Sequence, residues 1–343
     1  MGEKKTSIKS IGEFDLIAKY FMPLANDCDG AFSLLDDGAV LDIPEDESIV
    51  VTTDCLVEGV HFLHSISPEH VATRALGANL SDLAAMGATP RWIFLSLQLP
   101  ESKNEQWVSG FAKSLGKMMG RFGVSLAGGD TVSTVGAMGV TITAIGSIKK
   151  GSALRRSGAK PGDEIWVSGT LGDADLGLGF LKKNHLNADL SDTESINHLI
   201  NRHLCPEPRV ALGKSLCENA ISTACIDISD GLLADLGHIC AVSNVSATIN
   251  MCDVPLSLAA KKLFAGNIDN AQMSALGGGD DYELLFCSGP ENSSKIAALG
   301  KSIPLSKIGV ISEKSLDNTP AVKVVGQDGR LIEVNHHGWE HLK

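Results

Sequence analysis

Six short acidic clusters stand out by their surroundings: Asp36-Asp37-Gly38, Thr52-Thr53-Asp54, Asn79-Leu80-Ser81-Asp82, Gly128-Gly129-Asp130-Thr131, Asp227-Ile228-Ser229-Asp230-Gly231 and Gly278-Gly279-Asp280-Asp281. Each sits beside glycines or directly after an apolar run. Asp54 follows Ile49-Val50-Val51 and Asp227 follows Ser222 to Ile226, which puts both carboxylates at the mouth of a sheet, near buried surface. Like charges converging there push each other's pKa upward, and they stay ionised together only around a cation. Magnesium fits, because it takes hard oxygen ligands and accepts water and phosphate in the same shell. The chemistry indicated is metal-assisted handling of phosphate.

Any one of these aspartates could instead be a helix cap or a turn residue. Asp230-Gly231, just ahead of the apolar stretch Leu232 to Ile239, is a good cap candidate. Taken together the clusters exceed what capping needs. Gly128-Gly129 and Gly277-Gly278-Gly279 either let backbone N–H groups approach an anion or supply a turn with a residue of positive φ.

Several other chemistries are excluded. Gly213-Lys214-Ser215 resembles the end of a P-loop, but the position five before Gly213 is Pro208, not the glycine that loop requires. No G-x-G-x-x-G follows a strand, and neither H-R-D nor G-x-S-x-G occurs. A formal charge of −12, with only five cations in the densest basic stretch, Lys149 to Lys160, disfavours nucleic acid as a partner. The eight cysteines form no C-x-x-C pair, which disfavours structural zinc and suits reduced, half-buried thiols. The apolar runs Trp92 to Leu99 and Ala137 to Ile148 fall short of the ~20 residues of a membrane span. Lys4, Lys5 and Lys9 are not followed by a secretory apolar core and cleavage site. No membrane partner and a cytoplasmic location are expected.

The elements that must position the acids alternate between strand and helix. Strands are expected over Ile49 to Thr53, Trp92 to Leu99, Val124 to Ala127 and Gly139 to Ile148. Helices are expected over Glu69 to Gly87, from the spacing of Ala72, Ala75, Leu76, Leu80, Leu83 and Ala84, and over about Asn104 to Arg121. Between Lys149 and Gly162 the apolar periodicity gives way to Lys, Arg, Gly, Ser and Pro. A domain boundary is therefore placed near residue 150, separating 1–150 from 151–343. Beyond it, strands are expected over Glu164 to Ser168, Ser222 to Ile226, Ser246 to Met251, Tyr282 to Cys287 and Lys307 to Ile311, with a helix over Pro208 to Asn219. A length of 343 residues with 43% hydrophobic and 20% charged residues suits two globular domains.

In this order, the clusters resemble the thiamine-monophosphate kinase family of the aminoimidazole-ribonucleotide-synthetase-like superfamily. The resemblance runs from Gly12-Glu13-Phe14 to Gly338-Trp339 and is carried by Thr53 to Phe62, Asn79 to Gly87, Gly128 to Thr131, Arg156 to Asp163, Asp227 to Leu232 and Tyr282-Glu283-Leu284. It implies a two-domain α/β and α+β fold. The N-terminal α/β domain would form a β-barrel across a homodimer, the C-terminal domain would be α+β, and ATP would lie between them. The implied reaction is ATP plus thiamine monophosphate giving ADP and thiamine diphosphate. Position by position, the resemblance implies magnesium ligands at Asp37, Thr52, Thr53, Asp54, Asp82, Asp130, Asp227 and Asp230. It implies nucleotide contacts at Gly129, Asp130, Arg156 and Ser229, and acceptor contacts at His61, Asp280 and Trp339. Asp130, Asp230 and Arg156 would carry the catalysis.

The side-chain assignments have bland alternatives. His61 could be a satisfied structural histidine, Trp339 could pack down a chain end, and Arg156 could be solvated charge in a basic linker. Two departures from the family pattern stand out: Leu35 replaces the usual glycine before Asp36-Asp37, and Asp280 often corresponds to a glutamate. Sister enzymes fit less well. A selenophosphate synthetase would carry a reactive cysteine or selenocysteine near its N-terminus, and a hydrogenase-maturation relative would end in a reactive cysteine rather than His341-Leu342-Lys343. A purine-pathway synthetase would share the metal site without needing Trp339, and a non-catalytic nucleotide sensor would not need every acid.

Overall fold

A computed structural model describes residues 12–183, 188, 190–314, 321–334 and 338–339. Lys4, Lys5, Lys9 and the terminal His341-Leu342-Lys343 lie outside the described residues. The chain divides into two compact units, one within 1–83 and 88–151, the other within 84–87 and 152–343.

The first unit opens with a helical turn, α1 (Glu13–Leu16), and further irregular turns to Leu34. It continues through β1 (Glu47–Val57), α2 (Pro68–Ala85), β2 (Thr89–Pro100), α3 (Glu105–Phe122), β3 (Ser125–Thr134) and β4 (Gly139–Lys149). The strands form an open sheet in the order β1-β4-β2-β3. β4 runs antiparallel to β1 and β2, and β3 parallel to β2. α3 starts where the Asn104 side chain accepts the Trp107 N–H at 2.9 Å, and it stops at Gly123, whose φ of 66° suits a left-handed terminus. Along β1 the side chains alternate: Leu56 is buried, while Ile49 and Val51 point outward and are 50% and 58% exposed. One face of the sheet therefore carries the core residues Ile93, Leu95, Leu97, Val140 and Ile142.

β3 differs from expectation. It does not end at Ala127 but runs through Gly128-Gly129-Asp130-Thr131 to Thr134, pairing with β2 along its length. Gly128 and Gly129 are thus strand residues without positive φ, so they do not form a turn. A Cβ on Gly129 would lie 2.0 Å from the Leu95 carbonyl oxygen. The glycine is required by the approach of β2.

The second unit runs β5 (Glu164–Ser168), α4 (Asp173–Leu181), α5 (Thr193–Leu204), α6 (Val210–Glu218), β6 (Ala224–Asp227), α7 (Leu232–Ser243), β7 (Val245–Asn250), α8 (Leu258–Leu263), α9 (Ile268–Gly277), β8 (Leu284–Ser288), α10 (Ser293–Leu299), β9 (Leu305–Glu313) and β10 (Val322–Val325). Its mixed sheet has the order β10-β7-β9-β5-β8-β6, with only β10 and β7 parallel. Five of these strands correspond to expected ones, while β10, a four-residue edge strand, was not expected. Nor was α4, whose Gly177 and Gly179 weaken its helical signal. A Cβ on Gly177 would lie 2.1 Å from the Leu199 carbonyl oxygen, so packing against α5 explains that glycine. The core gathers Ile165, Val167, Leu176, Ile226, Leu236 and Leu285, among others, around this sheet.

Candidate active site

In the first unit the acids form two groups. A cavity of about 420 Å³ is lined by Asp36, Asp37, Ser96, Gly129, Asp130 and Thr143, with an apolar side from Ile17, Phe21 and Phe94. It brings Asp37 and Asp130 to one space. Thr53 borders that space, since its hydroxyl lies 3.0 Å from the Thr143 hydroxyl. The second group is Thr52, Asp54 and Asp82. The Thr52 hydroxyl donates to the Asp82 carboxylate at 2.5 Å. Burial, followed by the charge of Asp82, pushes the Asp54 carboxyl up to about 6. Strand alternation separates the groups: Thr52 and Asp54 point to one face of β1 and Thr53 to the other. Side chains of adjacent Thr52 and Thr53 therefore cannot share one ion on one face.

Leu35 has a φ of −104°, so the loss of a glycine there costs no backbone strain. The strain sits just before it, where Phe32, Ser33 and Leu34 have φ of 48°, 55° and 57°. His61 follows β1 in a turn, where its Nδ1 accepts the Val57 N–H at 2.9 Å and its carbonyl accepts from Arg74 at 3.2 Å. The ring is thereby fixed in place.

In the second unit, the loop after β6 gathers most of the remaining candidates. Asp227 ends the strand at 2% exposure. Asp230 is not the cap of α7. That position is Gly231, which makes no side-chain cap bond. The N–H groups of Ser229, Asp230 and Gly231 all donate to one oxygen of Asp235, at 3.1, 3.2 and 3.1 Å. Asp235 is itself 2% exposed, and burial followed by the charge of Asp230 pushes its carboxyl up to about 7. Donor atoms of Asp230, Asp235 and His238 lie within 4.8 Å of one another. Asp235 was missed in the sequence, although an acid in the first turn of a helix is the ordinary partner of its unpaired N–H groups.

The segment after α9 docks on the same loop. The Asp280 N–H donates to the Ser229 carbonyl and the Tyr282 N–H to the Ile228 carbonyl, both at 2.8 Å. Gly279 is glycine because a Cβ would lie 2.4 Å from the Ser229 carbonyl oxygen, and neither it nor Gly277 or Gly278 has positive φ. The left-handed residues are instead Asp280 and Tyr282, with φ of 68° and 51°. Trp339 donates its backbone N–H to the Asp230 carbonyl at 3.0 Å and stands 55% exposed. Arg156 is exposed, its carbonyl accepting from the Ser243 hydroxyl at 3.4 Å. Among the described residues, no bond joins its guanidinium to the Asp230 loop. The second unit thus brings Asp227, Ser229, Asp230, Asp280 and Trp339 together and leaves Arg156 apart.

Known proteins bear on this arrangement. The model of the AIR synthase related protein N-terminal domain matches residues 35–148. A thiamine-monophosphate kinase of Haemophilus influenzae is 40% identical over 97% of this chain and 99% of its own. The crystal structure of thiamine-monophosphate kinase from Stenotrophomonas maltophilia K279a is 40% identical, covers 87% of this chain and 91% of its own, and has a TM-score of 0.77. A structure of AaThiL complexed with AMPPCP and TMP is 32% identical, covers 98% of each chain and has a TM-score of 0.75. With this identity over nearly its whole length, the chain belongs to the thiamine-monophosphate kinase family.

Proposed function

We propose that this protein transfers the terminal phosphoryl group of ATP to thiamine monophosphate, forming thiamine diphosphate and ADP. The observation that carries this is the 40% identity to a thiamine-monophosphate kinase across 97% of the chain. A relative covering 98% of it binds an ATP analogue and TMP together. A phosphate oxygen of the acceptor attacks the γ-phosphorus, the bond to the β–γ bridging oxygen breaks, and ADP leaves with that electron pair. Such a transfer needs positioning and charge neutralisation rather than a covalent nucleophile.

The donor set suits magnesium. It is made of carboxylates and hydroxyls, and in Asp54 and Asp82 like charge faces like charge near buried surface. Asp37, Thr53 and Asp130 would hold ions on the cavity side, and Thr52, Asp54 and Asp82 on the other face of β1. Asp227 and Asp230 would do so in the second unit. Bound there, magnesium would neutralise the phosphate oxygens of donor and acceptor. Gly129, Asp130, Ser229 and Arg156 would contact the nucleotide, with the Arg156 guanidinium adding fixed positive charge to a phosphate. His61, Asp280 and Trp339 would contact the acceptor, the Trp339 ring stacking on its cationic or aromatic ring. Asp130, Asp230 and Arg156 are the residues assigned to catalysis.

We assign the assembly elements and most of the metal ligands to 1–150, and to 151–343 the elements that complete the nucleotide and acceptor site. Assembly as a homodimer, with the open sheets joining into one barrel, is supported by the outward Ile49 and Val51 on the edge strand β1. Among the described residues no helix is long and apolar enough to cross a membrane, and we place the enzyme in the cytoplasm.

Purified protein with ATP and magnesium should convert thiamine monophosphate to the diphosphate and do little with free thiamine. Robust phosphorylation of free thiamine, or none of the monophosphate, would sink the assignment. Light scattering should give about 72 kDa, twice the 36.0 kDa chain. A monomer fully active at low concentration contradicts the shared barrel.

A further inference from the structure

The acceptor contact assigned to Asp280 rests on a segment with an unusual construction. Asp280 and Tyr282 both adopt left-handed backbone without being glycine, a conformation costing roughly 1–2 kcal/mol per residue. Such strain persists where the surroundings over-determine it, and it concentrates at functional sites. Here the surroundings are specific. The alternate residues, Asp281 and Glu283, are 1% and 0% exposed. Asp281 accepts the N–H groups of Gly172 and Ala174 at the start of α4, at 2.6 and 3.3 Å. Glu283 accepts from Ser168 at 2.5 Å, from Arg202 at 3.0 Å and from both Nε and a terminal nitrogen of Arg209. Arg202 also donates to the Asp281 carbonyl at 3.3 Å. Asp281 and Glu283, the residues on either side of Tyr282, are thus clamped.

The Asp280 carboxylate is held separately, one oxygen at a time. The Tyr282 hydroxyl donates to Oδ1 at 3.1 Å. Nδ1 of His203 faces Oδ2 at 3.6 Å, from a ring only 2% exposed. His203 sits in the last turn of α5, next to the Arg202 that grips the neighbouring backbone. Asp280 keeps 30% of its side chain open, so these contacts orient it while leaving an edge for a ligand. A carboxylate oriented in this way accepts from an amino group on an aromatic ring or lies against a cationic heterocycle, the two features a thiamine phosphate presents.

We infer that His203 and Tyr282 are positioning residues for the acceptor, setting the Asp280 carboxylate so that thiamine monophosphate, and not ATP, feels their loss. The inference rests on the reading of Asp280 as an acceptor contact. The test uses the full-length enzyme with ATP and magnesium, measuring KM for each substrate and the melting temperature. Tyr282→Phe keeps the ring and removes only the hydroxyl, and His203→Gln keeps a polar group without the imidazole. Each should raise the thiamine monophosphate KM by roughly three- to tenfold, the range of an ordinary net hydrogen bond. The ATP KM should stay within about twofold, and the melting temperature of Tyr282→Phe, which loses only a hydroxyl, within about 2 °C; for the buried His203 the split between the two KM values carries the reading. In an Asp280→Ala background, adding Tyr282→Phe should change nothing further.

Equal rises in both KM values with a falling melting temperature would reduce the two residues to structural supports. A full Tyr282→Phe effect in the Asp280→Ala background would mean that Tyr282 acts independently of Asp280. Either result overturns the inference. If Asp280→Ala raises the acceptor KM while neither Tyr282→Phe nor His203→Gln does, the inference fails and the acceptor reading stands. An unchanged acceptor KM in Asp280→Ala overturns both.

Discussion

Asp54 on β1 of the first unit and Glu283 just ahead of β8 in the second are both acids beside the core, yet their charges are answered differently. Asp54 is raised to about 6 by its burial and by Asp82 beside it. Glu283, more deeply buried, receives two arginines and a serine from three separate segments: Arg202 on α5, Arg209 just ahead of α6 and Ser168 at the end of β5. Burial, the largest single influence, pulls the Arg209 guanidinium down, but the bond and charge of Glu283 together with the charge of Glu207 leave it raised. An acid that the fold itself needs brings its counter-charge within the chain. Asp54, which we assign to a metal ion, is left against another acid, at a cost in stability that a bound cation would offset.

The sharpest way to break this contrast is to remove the compensated acid. Glu283→Ala strands two arginines near the core, and a denaturant melt should show a loss of about 3–5 kcal/mol. A loss below about 1 kcal/mol would mean that the network does not hold the fold. Removing an acid that we assign to a metal ion should do the reverse. Asp54→Asn and Asp130→Asn should lower turnover about a hundredfold without lowering the melting temperature. Near-full turnover at ordinary magnesium would exclude the residue as a ligand.

Trp339→Ala tests the exposed end of the second unit. A stacking or cation–π contact is worth about 0.5–2 kcal/mol, so KM for thiamine monophosphate should rise roughly three- to thirtyfold with the ATP KM unchanged. Trp339→Phe should recover much of the difference. An equal loss for both substrates with a lower melting temperature would instead mark a packed tail.

The smallest effect concerns protons. Asp54 titrates near 3.8 when unfolded and near 6 when folded, so the folded state holds its proton more tightly. With magnesium chelated, this group contributes a stability that is full below pH 3.8 and declines as pH rises towards 6. Its share should be of order 1 kcal/mol after allowance for solvent. Asp54→Asn should flatten that decline, and an unchanged pH profile would mean that Asp54 is not under charge strain.

Local pattern alone determined a good part of this protein. The β-branched run before Asp54, the Asn104 cap and Gly123 stop of α3, and the strand Glu164–Ser168 follow from residue chemistry within one element. The acidic loops in their order were enough to point to the family. What the pattern left undecided depends on partners brought together in space. β3 continues through two glycines because β2 lies against it. α4 tolerates Gly177 because α5 packs there. Asp230 is released from capping because Asp235 takes the three N–H groups in its place. Asp280 and Tyr282 hold left-handed backbone because Arg202, Arg209 and the start of α4 clamp Asp281 and Glu283 between and beside them. Propensity and periodicity are summed over neighbours in sequence, whereas close approach, charge compensation and backbone strain are set by neighbours in space, and only the tertiary structure decides those.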